Sequence, residues 1–250
     1  MQDTASPGRF RSAEPSFEAS LPKRFYENVE VVEDEGGHAV RLDGRPVRTP
    51  GRSVLAFPSA AVAGAVAGEW EAQGERIDPR TMPATRLANT ALDGVASDEQ
   101  AVREDVVRYV GSDLVCYRAD GPPGLVAREA AAWDPYLDWA AEGFGAHFVL
   151  AEGVMHVAQP AEAIRAFSRE VGDVEGPFRL AGLHVMTALT GSALIALAVA
   201  RGRVEVGEAW AHAHVDEDWN VEQWGEDAEA ARRRRQREAE MRVAALFAVA

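Results

Sequence analysis

The chain has a single cysteine, Cys116, and carries little positive charge for its size. One cysteine cannot form an intramolecular disulfide, which excludes the small disulfide-stapled secreted scaffolds and favours a reducing compartment. Lys and Arg number 26 against 40 Asp and Glu, so the formal net charge is −14 for 250 residues. Because an excess of negative charge repels a phosphate backbone, we predict no nucleic-acid partner.

Long hydrophobic runs are also missing. The longest apolar run is Ala193–Ala200, and extending it back to Val185 adds Thr, Gly and Ser, which makes it too short and too polar for a membrane helix. Residues 1–20 have no apolar stretch of the kind that secretory signals contain, and they mix arginines with acids, unlike a transit peptide. We therefore predict a disordered tail over 1–20, no membrane partner and a cytoplasmic location.

The usual catalytic motifs are absent as well. The sequence contains no G-x-S-x-G elbow, no G-x-x-x-x-G-K-[ST] loop and no G-x-G-x-x-G motif after a predicted strand. Ser192 lies in LTGSALIA, which is typical of a helix-packing site, and Cys116 lies in the apolar DLVCYR, which favours a buried, unreactive thiol. These patterns favour neither nucleophilic catalysis nor phosphate binding.

What the chain does contain predicts an α+β protein. Residues 23–58 alternate in a β-like manner, with Asp43-Gly44 as a two-residue hairpin signal, and helical patterns dominate after residue 59. We predict a β-rich N-terminal domain with some helix over 21–95 and an all-helical domain over 96–250. Helices are predicted over 59–73, from a capping box at 97–100 to about 111, and over 124–144, 178–201, 205–224 and 226–248, with a break at Gly225.

The segment WAHAHVDEDWNVEQWG over 210–225 combines three tryptophans and two histidines with many acids. One interpretation is a metal-dependent hydrolase using His212 or His214 with Asp216 or Asp218. Residues two apart on a helix point about 200° away from each other, so only His212 with Asp216, or His214 with Asp218, can share a face. Each pair gives two ligands, whereas catalytic zinc takes three, so hydrogen-bonded pairs at i,i+4 are favoured.

A charged stripe runs along the closing helices. Its residues are spaced by three or four if the helix continues past Gly225: Asp218, Glu222, Glu226, Glu229, Arg233, Arg237 and Glu240. Such a stripe is either a solvated face or a contact surface that orients a protein partner. The four arginines at 232–235 could instead suggest nucleic-acid binding, but the acids before them favour a salt-bridged helix face.

A second dense segment, MPATRLANTALDG over 82–94, follows the motif EWEAQ, which contains Trp70. Pro83 is expected to start a helix that Thr85 caps, with Arg86, Asn89 and Asp93 on one face. A polar triple beside small residues is more typical of a brace between domains than of a reactive site. Trp70 is interpreted as an anchor of that junction.

Seven ordered blocks together resemble a known family. They are RLDGRPVRTP (41–50), EWEAQ (69–73), MPATRLANTALDG (82–94), SDLVCYRA (112–119), WDPYLDW (133–139), LTGSALIALA (189–198) and AWAHAHVDEDWNVEQWGEDAE (209–229). The chain is similar to the F-type ATP synthase assembly chaperones, specifically those for the alpha subunit of the F(1) catalytic head. The resemblance covers nearly all of residues 22–248.

The resemblance implies a two-domain fold, no enzyme activity, no cofactor and a monomer that holds free alpha subunit until beta subunits displace it. It also implies the mitochondrial matrix as the site of action of organellar relatives. The partner-binding residues implied are Asp218, Trp219, Glu222, Trp224, Glu229 and Glu240. Four further residues match family blocks and are expected to hold the domain junction: Trp70, Arg86, Asn89 and Asp113.

Overall fold

A computed structural model describes residues 21–34, 37–153 and 156–249. It confirms the predicted α+β class, because a small sheet near the N-terminus is followed mainly by helices. The predicted tail over 1–20 lies outside the described residues. The strands are β1 (Val29–Asp34), β2 (Gly37–Leu42), β3 (Arg45–Pro46), β4 (Ala56–Phe57), β5 (Tyr117–Arg118) and β6 (Ala151–Glu152). The α-helices are α1 (Ala60–Glu71), α2 (Pro83–Asp93), α3 (Glu99–Val110), α4 (Pro123–Phe144), α5 (Ala161–Gly172), α6 (Pro177–Thr190), α7 (Ala193–Ala200), α8 (Val206–His212), α9 (Val215–Trp224) and α10 (Ala228–Ala248).

The N-terminal sheet is antiparallel, with β2 paired to β1, β3 and β4. The predicted hairpin at Asp43-Gly44 is confirmed, since Leu42 pairs with Arg45 across it. Asp43 and Gly44 have φ of 47° and 77°, the left-handed pair that a type I′ turn requires. The Asp43 carboxylate also accepts a hydrogen bond from the backbone N–H of Asn28 at 2.9 Å, which ties the turn to the start of β1.

Two helix starts differ from the prediction. Helix α3 is capped by Asp98, whose carboxylate accepts from the N–H of Ala101 at 3.0 Å, and Ser97 belongs to the preceding 3-10 turn. Helix α2 begins at Pro83, so Thr85 lies inside its first turn rather than capping it. The cap comes from α1, because the Glu69 carboxylate accepts from the N–H groups of Ala84 at 2.6 Å and Thr85 at 2.8 Å.

Two helices predicted as continuous are each broken in two. The predicted helix over 178–201 ends at Gly191, which has φ of 69°, and Ser192 restarts it by accepting from the N–H of Ile195 at 3.0 Å. The predicted helix over 205–224 is interrupted at Ala213 and His214. The predicted break at Gly225 is confirmed, with φ of 87°. Periodicity does not detect the first two breaks because apolar residues continue across both.

Helices α6 and α7 lie at the centre of the core, and every residue of α7 is buried. The sheet packs on the same core, since the Phe57 ring lies 5.3 Å from that of Phe178 and 6.4 Å from that of Phe247, measured between centroids. The boundary between 21–95 and 96–250 therefore remains a prediction, with aromatic contacts crossing it. Within the described ranges, none of the helices is both long enough and apolar enough to cross a membrane.

Candidate partner-binding surface

The surface around Gly225 exposes the largest apolar side chain among the exposed hydrophobic residues described. Trp224, the last residue of α9, is 87% exposed. Gly225 then reverses the chain with φ of 87° and ψ of 166°, a region open essentially to glycine alone. Asp227 starts α10 by accepting from the N–H of Ala230 at 2.7 Å. The turn thus presents an indole between the ends of two helices.

Trp219, five residues before Trp224, is half-buried against α4. The Arg128 guanidinium lies over its ring, 4.8 Å from the centroid. The ring also fills the space above Gly124, where an added Cβ would approach Cη2 to 2.7 Å. Of the two predicted tryptophan contacts, Trp224 is therefore free and Trp219 is already engaged within the chain.

The acids of α9 also have partners within the chain. The Glu222 carboxylate accepts two hydrogen bonds from Arg128, from Nη1 at 2.8 Å and from Nη2 at 2.7 Å. This pairing lowers the pKa of Glu222 below its usual value. Asp218 pairs with Arg234 of α10. The stripe is not continuous, because Gly225 turns the chain and the acids of α9 face arginines of α4 and α10.

The part of the stripe on α10 keeps its helical spacing. Glu229 pairs with Arg233 at 2.6 Å, and both side chains are mostly exposed. Further along, Arg237 donates to the Leu189 carbonyl at 2.8 Å and Glu240 accepts from Arg86 of α2 at 2.9 Å. The pair of Arg86 and Glu240 borders a shallow cavity of about 190 Å³ that is otherwise lined mainly by apolar side chains of α2, α6 and α10.

The four predicted junction residues lie in different places. Arg86 joins α2 to α10 through Glu240, and Asn89 is half-buried on the same helix. Trp70 packs edge-on against the Tyr26 ring at 5.6 Å, and its carbonyl accepts from the Tyr26 hydroxyl at 2.7 Å. Arg86 thus bridges two elements on opposite sides of the predicted boundary, whereas Trp70 contacts the N-terminal part. Their shared role as a junction remains a prediction.

Asp113 is fully buried and holds the start of α7. Its Oδ2 accepts from the N–H groups of Ala193 at 2.8 Å and Leu194 at 3.1 Å, and Oδ1 accepts from that of Val115 at 3.2 Å. Burial raises the pKa of Asp113 to about 6, against the lowering by these hydrogen bonds. A buried carboxylate with three backbone donors is a structural cap.

The break at 213–214 separates His212 from Asp216, whereas His214 is the N-cap of α9 and its side chain binds elsewhere than at Asp218. His212 Nδ1 lies 2.8 Å from the Tyr136 hydroxyl, and His214 Nδ1 lies 2.7 Å from the Trp210 carbonyl. Burial lowers the pKa of both imidazoles. In the parts of the chain that the structure describes, no group of three or more His, Cys, Asp or Glu is placed to hold a metal ion. His212 with Asp216 and His214 with Asp218 therefore do not form the helical pairs expected.

The two possible nucleophiles, Cys116 and Ser192, are both buried. Cys116 is buried, and burial raises the pKa of its thiol to about 12, so thiolate is scarce at neutral pH. Ser192 is buried as the N-cap of α7, where its hydroxyl oxygen accepts from the N–H of Ile195. The prediction for Cys116 is confirmed, whereas Ser192 caps a helix at a break and does not pack inside one as predicted.

Sequence reasoning missed Arg128, and it included Arg234 only as one of the four arginines at 232–235 that were expected to form salt bridges with the acids before them. Each is separated by many residues from the acid it pairs with, so neither i,i+3 nor i,i+4 spacing connects them. Glu129, next to Arg128, was also missed. It is buried, its carboxylate accepts from the N–H of Ala119 at 2.8 Å, and burial together with the Asp216 carboxylate raises its pKa. In the sequence, only the excess of acids over arginines nearby indicated that such contacts would form.

Comparison with known proteins agrees with the earlier resemblance. The sequence model of the ATP12 chaperone protein family matches residues 23–141. The crystal structure of the Atu1473 protein of Agrobacterium tumefaciens is similar at 53% identity and a TM-score of 0.86, over 91% of this chain and 85% of that one. The crystal structure of Atp12 from Paracoccus denitrificans is similar at 42% identity and a TM-score of 0.82, over 90% of this chain and 97% of that one.

A point mutant of the P. denitrificans protein matches in the same way, at 41% identity and a TM-score of 0.82, over 91% of this chain and 97% of that one. Identity above 40% across nearly the whole of the Paracoccus chain is well beyond what a shared fold alone would produce. The chain therefore belongs to the ATP12 chaperone family, a family of ATP synthase assembly chaperones and not of enzymes.

Proposed function

We propose that this chain binds the free alpha subunit of the ATP synthase catalytic head and prevents its aggregation until beta subunits displace the chaperone. The observation that carries the proposal is the 87% exposed Trp224 at the end of the acidic helix α9, next to the mixed-charge helix α10. Tryptophan is among the residues that contribute most to the binding energy of protein interfaces. Its side chain is rarely this exposed to solvent unless it has a functional role. In this proposal the chain acts as a monomer in the cytoplasm.

The physical need for such a protein follows from the ring that the alpha subunit joins. A lone ring subunit exposes faces meant for its neighbours, and exposed apolar faces aggregate. A protein that covers one face and then yields to the permanent neighbour prevents this without making or breaking a covalent bond. A standard interface would bury about 1,600 Å² in total.

Co-expression tests the proposal directly. With this chain present, the alpha subunit is expected in the soluble fraction and in a complex that co-purifies with the chain. Without it, and without beta subunits, the alpha subunit is expected in the pellet. Adding beta subunits should release the chaperone. Equal solubility of the alpha subunit with and without this chain would overturn the proposal.

Trp224→Ala is expected to weaken binding of the alpha subunit with little effect on the stability of the fold. Because the indole is exposed, its loss is expected to change the free energy of unfolding by no more than about 0.5 kcal/mol. If Trp224 anchors the partner, binding of the alpha subunit should weaken by about 2 kcal/mol or more, as for other interface hot spots. Denaturant unfolding and titration calorimetry measure the two quantities. Val249→Ala, another exposed apolar residue, is the control and should leave binding unchanged.

Glu240→Lys tests the surface on α10. Loss of the partly exposed Arg86–Glu240 pair should lower the free energy of unfolding by about 1 kcal/mol or less. If Glu240 contacts the partner, the Kd for the alpha subunit should rise at least about tenfold, or 1.4 kcal/mol. Glu162→Lys, on the 91% exposed side chain of Glu162 in α5, makes the same charge change elsewhere and should bind normally.

A charge swap distinguishes the internal role of Glu240 from a role in binding. The double variant Arg86→Glu with Glu240→Lys restores an ion pair between α2 and α10 with its polarity reversed. Restored stability with weak binding would assign Glu240 to the interface. Full recovery of binding in the double variant would mean that Glu240 acts only by joining the two helices.

A further inference from the structure

Helix α9 differs from the other long helices in having no buried residue. Its neighbours α8 and α10 each bury residues in the core. Both ends of α9 are points where the helical path is interrupted, Ala213–His214 on one side and Gly225 on the other. Helix α9 therefore lies between two interruptions of the helical path. It is held to the rest of the chain mainly by side chains at the surface.

The main attachment of α9 is Arg128 of α4. One guanidinium lies over the Trp219 ring at 4.8 Å and also donates to both carboxylate oxygens of Glu222. Side chains of Arg128 and Glu222 are 45% and 51% exposed, so water and salt compete with the pair. The Trp219 ring adds an apolar contact with the backbone of Gly124.

Two further attachments are polar. Asp218 pairs with Arg234 of α10. Asp216, in the first turn of α9, lies beside the buried carboxyl of Glu129, where two acids share one site. The one residue of α9 that packs against the hydrophobic core is Val215, at the start of the helix, and it is only partly buried. Because the rest of α9 is held mainly by polar contacts, we expect it to open at a free energy below that of global unfolding.

These same contacts engage three of the six residues predicted to bind the partner. Trp219, Glu222 and Asp218 are held by arginines of this chain, while Trp224 remains exposed. A partner that binds all four side chains must first take the place of those arginines. The arrangement therefore has the geometry of an internal contact that competes with the partner.

We propose that α9 is a releasable flap, which Arg128 holds against α4 in the free chaperone and which swings out when the alpha subunit is captured. Release frees Asp218, Trp219 and Glu222, which share one face of α9, while Trp224 stays exposed on another face of the same helix. The part of this inference that concerns the alpha subunit rests on the proposed function; the part that concerns opening in the free chain does not. If opening precedes capture, the apparent affinity equals the intrinsic affinity multiplied by the open fraction.

Two chemically different variants should loosen the flap. Arg128→Ala removes the guanidinium that holds Trp219 and Glu222. Gly124→Ala adds a methyl group that would lie 2.7 Å from Cη2 of Trp219, so the ring must move without any change of charge. The matched controls are Arg242→Ala, which removes an arginine paired within α10, and Gly143→Ala near the other end of α4, where the added Cβ has ordinary contacts.

Hydrogen exchange on the free chain tests opening. Amides of 219–224 are expected to exchange faster than those of α6, and both loosening variants should speed them about tenfold while α6 is unchanged. The controls should exchange as the parent does. Exchange of α9 as slow as that of α6, or no acceleration in either loosening variant, would overturn the flap.

Binding of the alpha subunit tests the competition. If the open fraction rises about tenfold, the Kd should fall by a similar factor in both loosening variants and in neither control. Weaker binding in Arg128→Ala and Gly124→Ala would instead mean that the docked helix is the binding form, and would overturn the competition. If the parent chain does not bind the alpha subunit, the proposed function fails, while the exchange experiment still decides whether α9 opens.

Discussion

Replacing Asp113 by alanine is expected to lower the free energy of unfolding by about 3–5 kcal/mol, because three buried N–H groups lose their acceptor. Two of them belong to Ala193 and Leu194, at the start of a helix whose residues are all buried. Water cannot replace the carboxylate without entering the core. Denaturant unfolding followed by circular dichroism measures the loss.

Asp113→Asn is the graded control. One amide oxygen can still accept from Ala193 and Leu194, but the amide nitrogen then faces the N–H of Val115. The free energy of unfolding should therefore fall by an intermediate amount. Equal stability of the alanine and aspartate proteins would show that the cap of α7 contributes nothing, contrary to the geometry.

The Asp113 variants should also change the pH dependence of stability. The pKa of Asp113 is raised from 3.8 to about 6 in the folded chain, so the folded state holds a proton that the unfolded state releases. The contribution of this proton to the free energy of unfolding is fully present below pH 4 and is lost as the pH rises through about 6. The loss amounts to roughly 3 kcal/mol. Alanine or asparagine at 113 should remove this slope, so the destabilisation by alanine should be larger at pH 4 than at pH 7.

Local rules were sufficient for those features of the fold that a few adjacent residues determine. The hairpin at Asp43-Gly44 follows from backbone preferences of two residues, and the break at Gly225 from those of one. Burial of Cys116 follows from its apolar neighbours. None of these needs a contact from a distant part of the chain.

The features that were missed depend on distant residues. The Glu69 carboxylate caps α2 from the preceding helix, so the cap cannot be found by examining the residues next to Pro83. The break before Ser192 is stabilised by Asp113, about 80 residues earlier in sequence. Arg128 and Glu222 meet only because α9 folds back onto α4. The family resemblance named Trp224 and Glu222 alike, but only the fold shows that Trp224 is exposed and that Glu222 is paired with Arg128.

Helices α6, α7 and α10 are firmly packed, whereas the neighbouring helix α9 is attached only weakly. Helices α6 and α7 are packed in the core and α10 lies against α6. Helix α9 is attached mainly through ion pairs and Trp219, with Val215 as a partly buried contact at its start. This difference in attachment suits a chaperone that must release the subunit it binds. The core helices keep the α10 acids in place, while α9, which ends at Trp224, can change its contacts without disturbing the core.

The contact between α6 and α10 is where a single methyl group should have a large effect. At Gly182 an added Cβ would lie 2.5 Å from the Ala244 carbonyl oxygen and 2.7 Å from the Ala248 nitrogen, both of them backbone atoms that cannot rotate away. Gly182→Ala must therefore push the helices apart, at a loss of about 1–3 kcal/mol that exceeds the gain of about 1 kcal/mol in helix propensity. Gly182→Val should exceed about 3 kcal/mol, since it is larger and β-branched.

Gly64→Ala is the matched control, because Gly64 lies in α1 with no atom within 4 Å of an added Cβ. It should raise the free energy of unfolding by about 0.5–1 kcal/mol through helix propensity alone. If Gly→Ala lowers the free energy of unfolding at 182 and raises it at 64, the loss at 182 is due to backbone contact and not to helix propensity. If Glu229 and Glu240 of α10 contact the alpha subunit as proposed, the alanine variant at 182 should also bind that subunit more weakly under conditions where it stays folded. A Gly182→Ala protein as stable as Gly64→Ala would mean that α6 and α10 do not approach each other this closely.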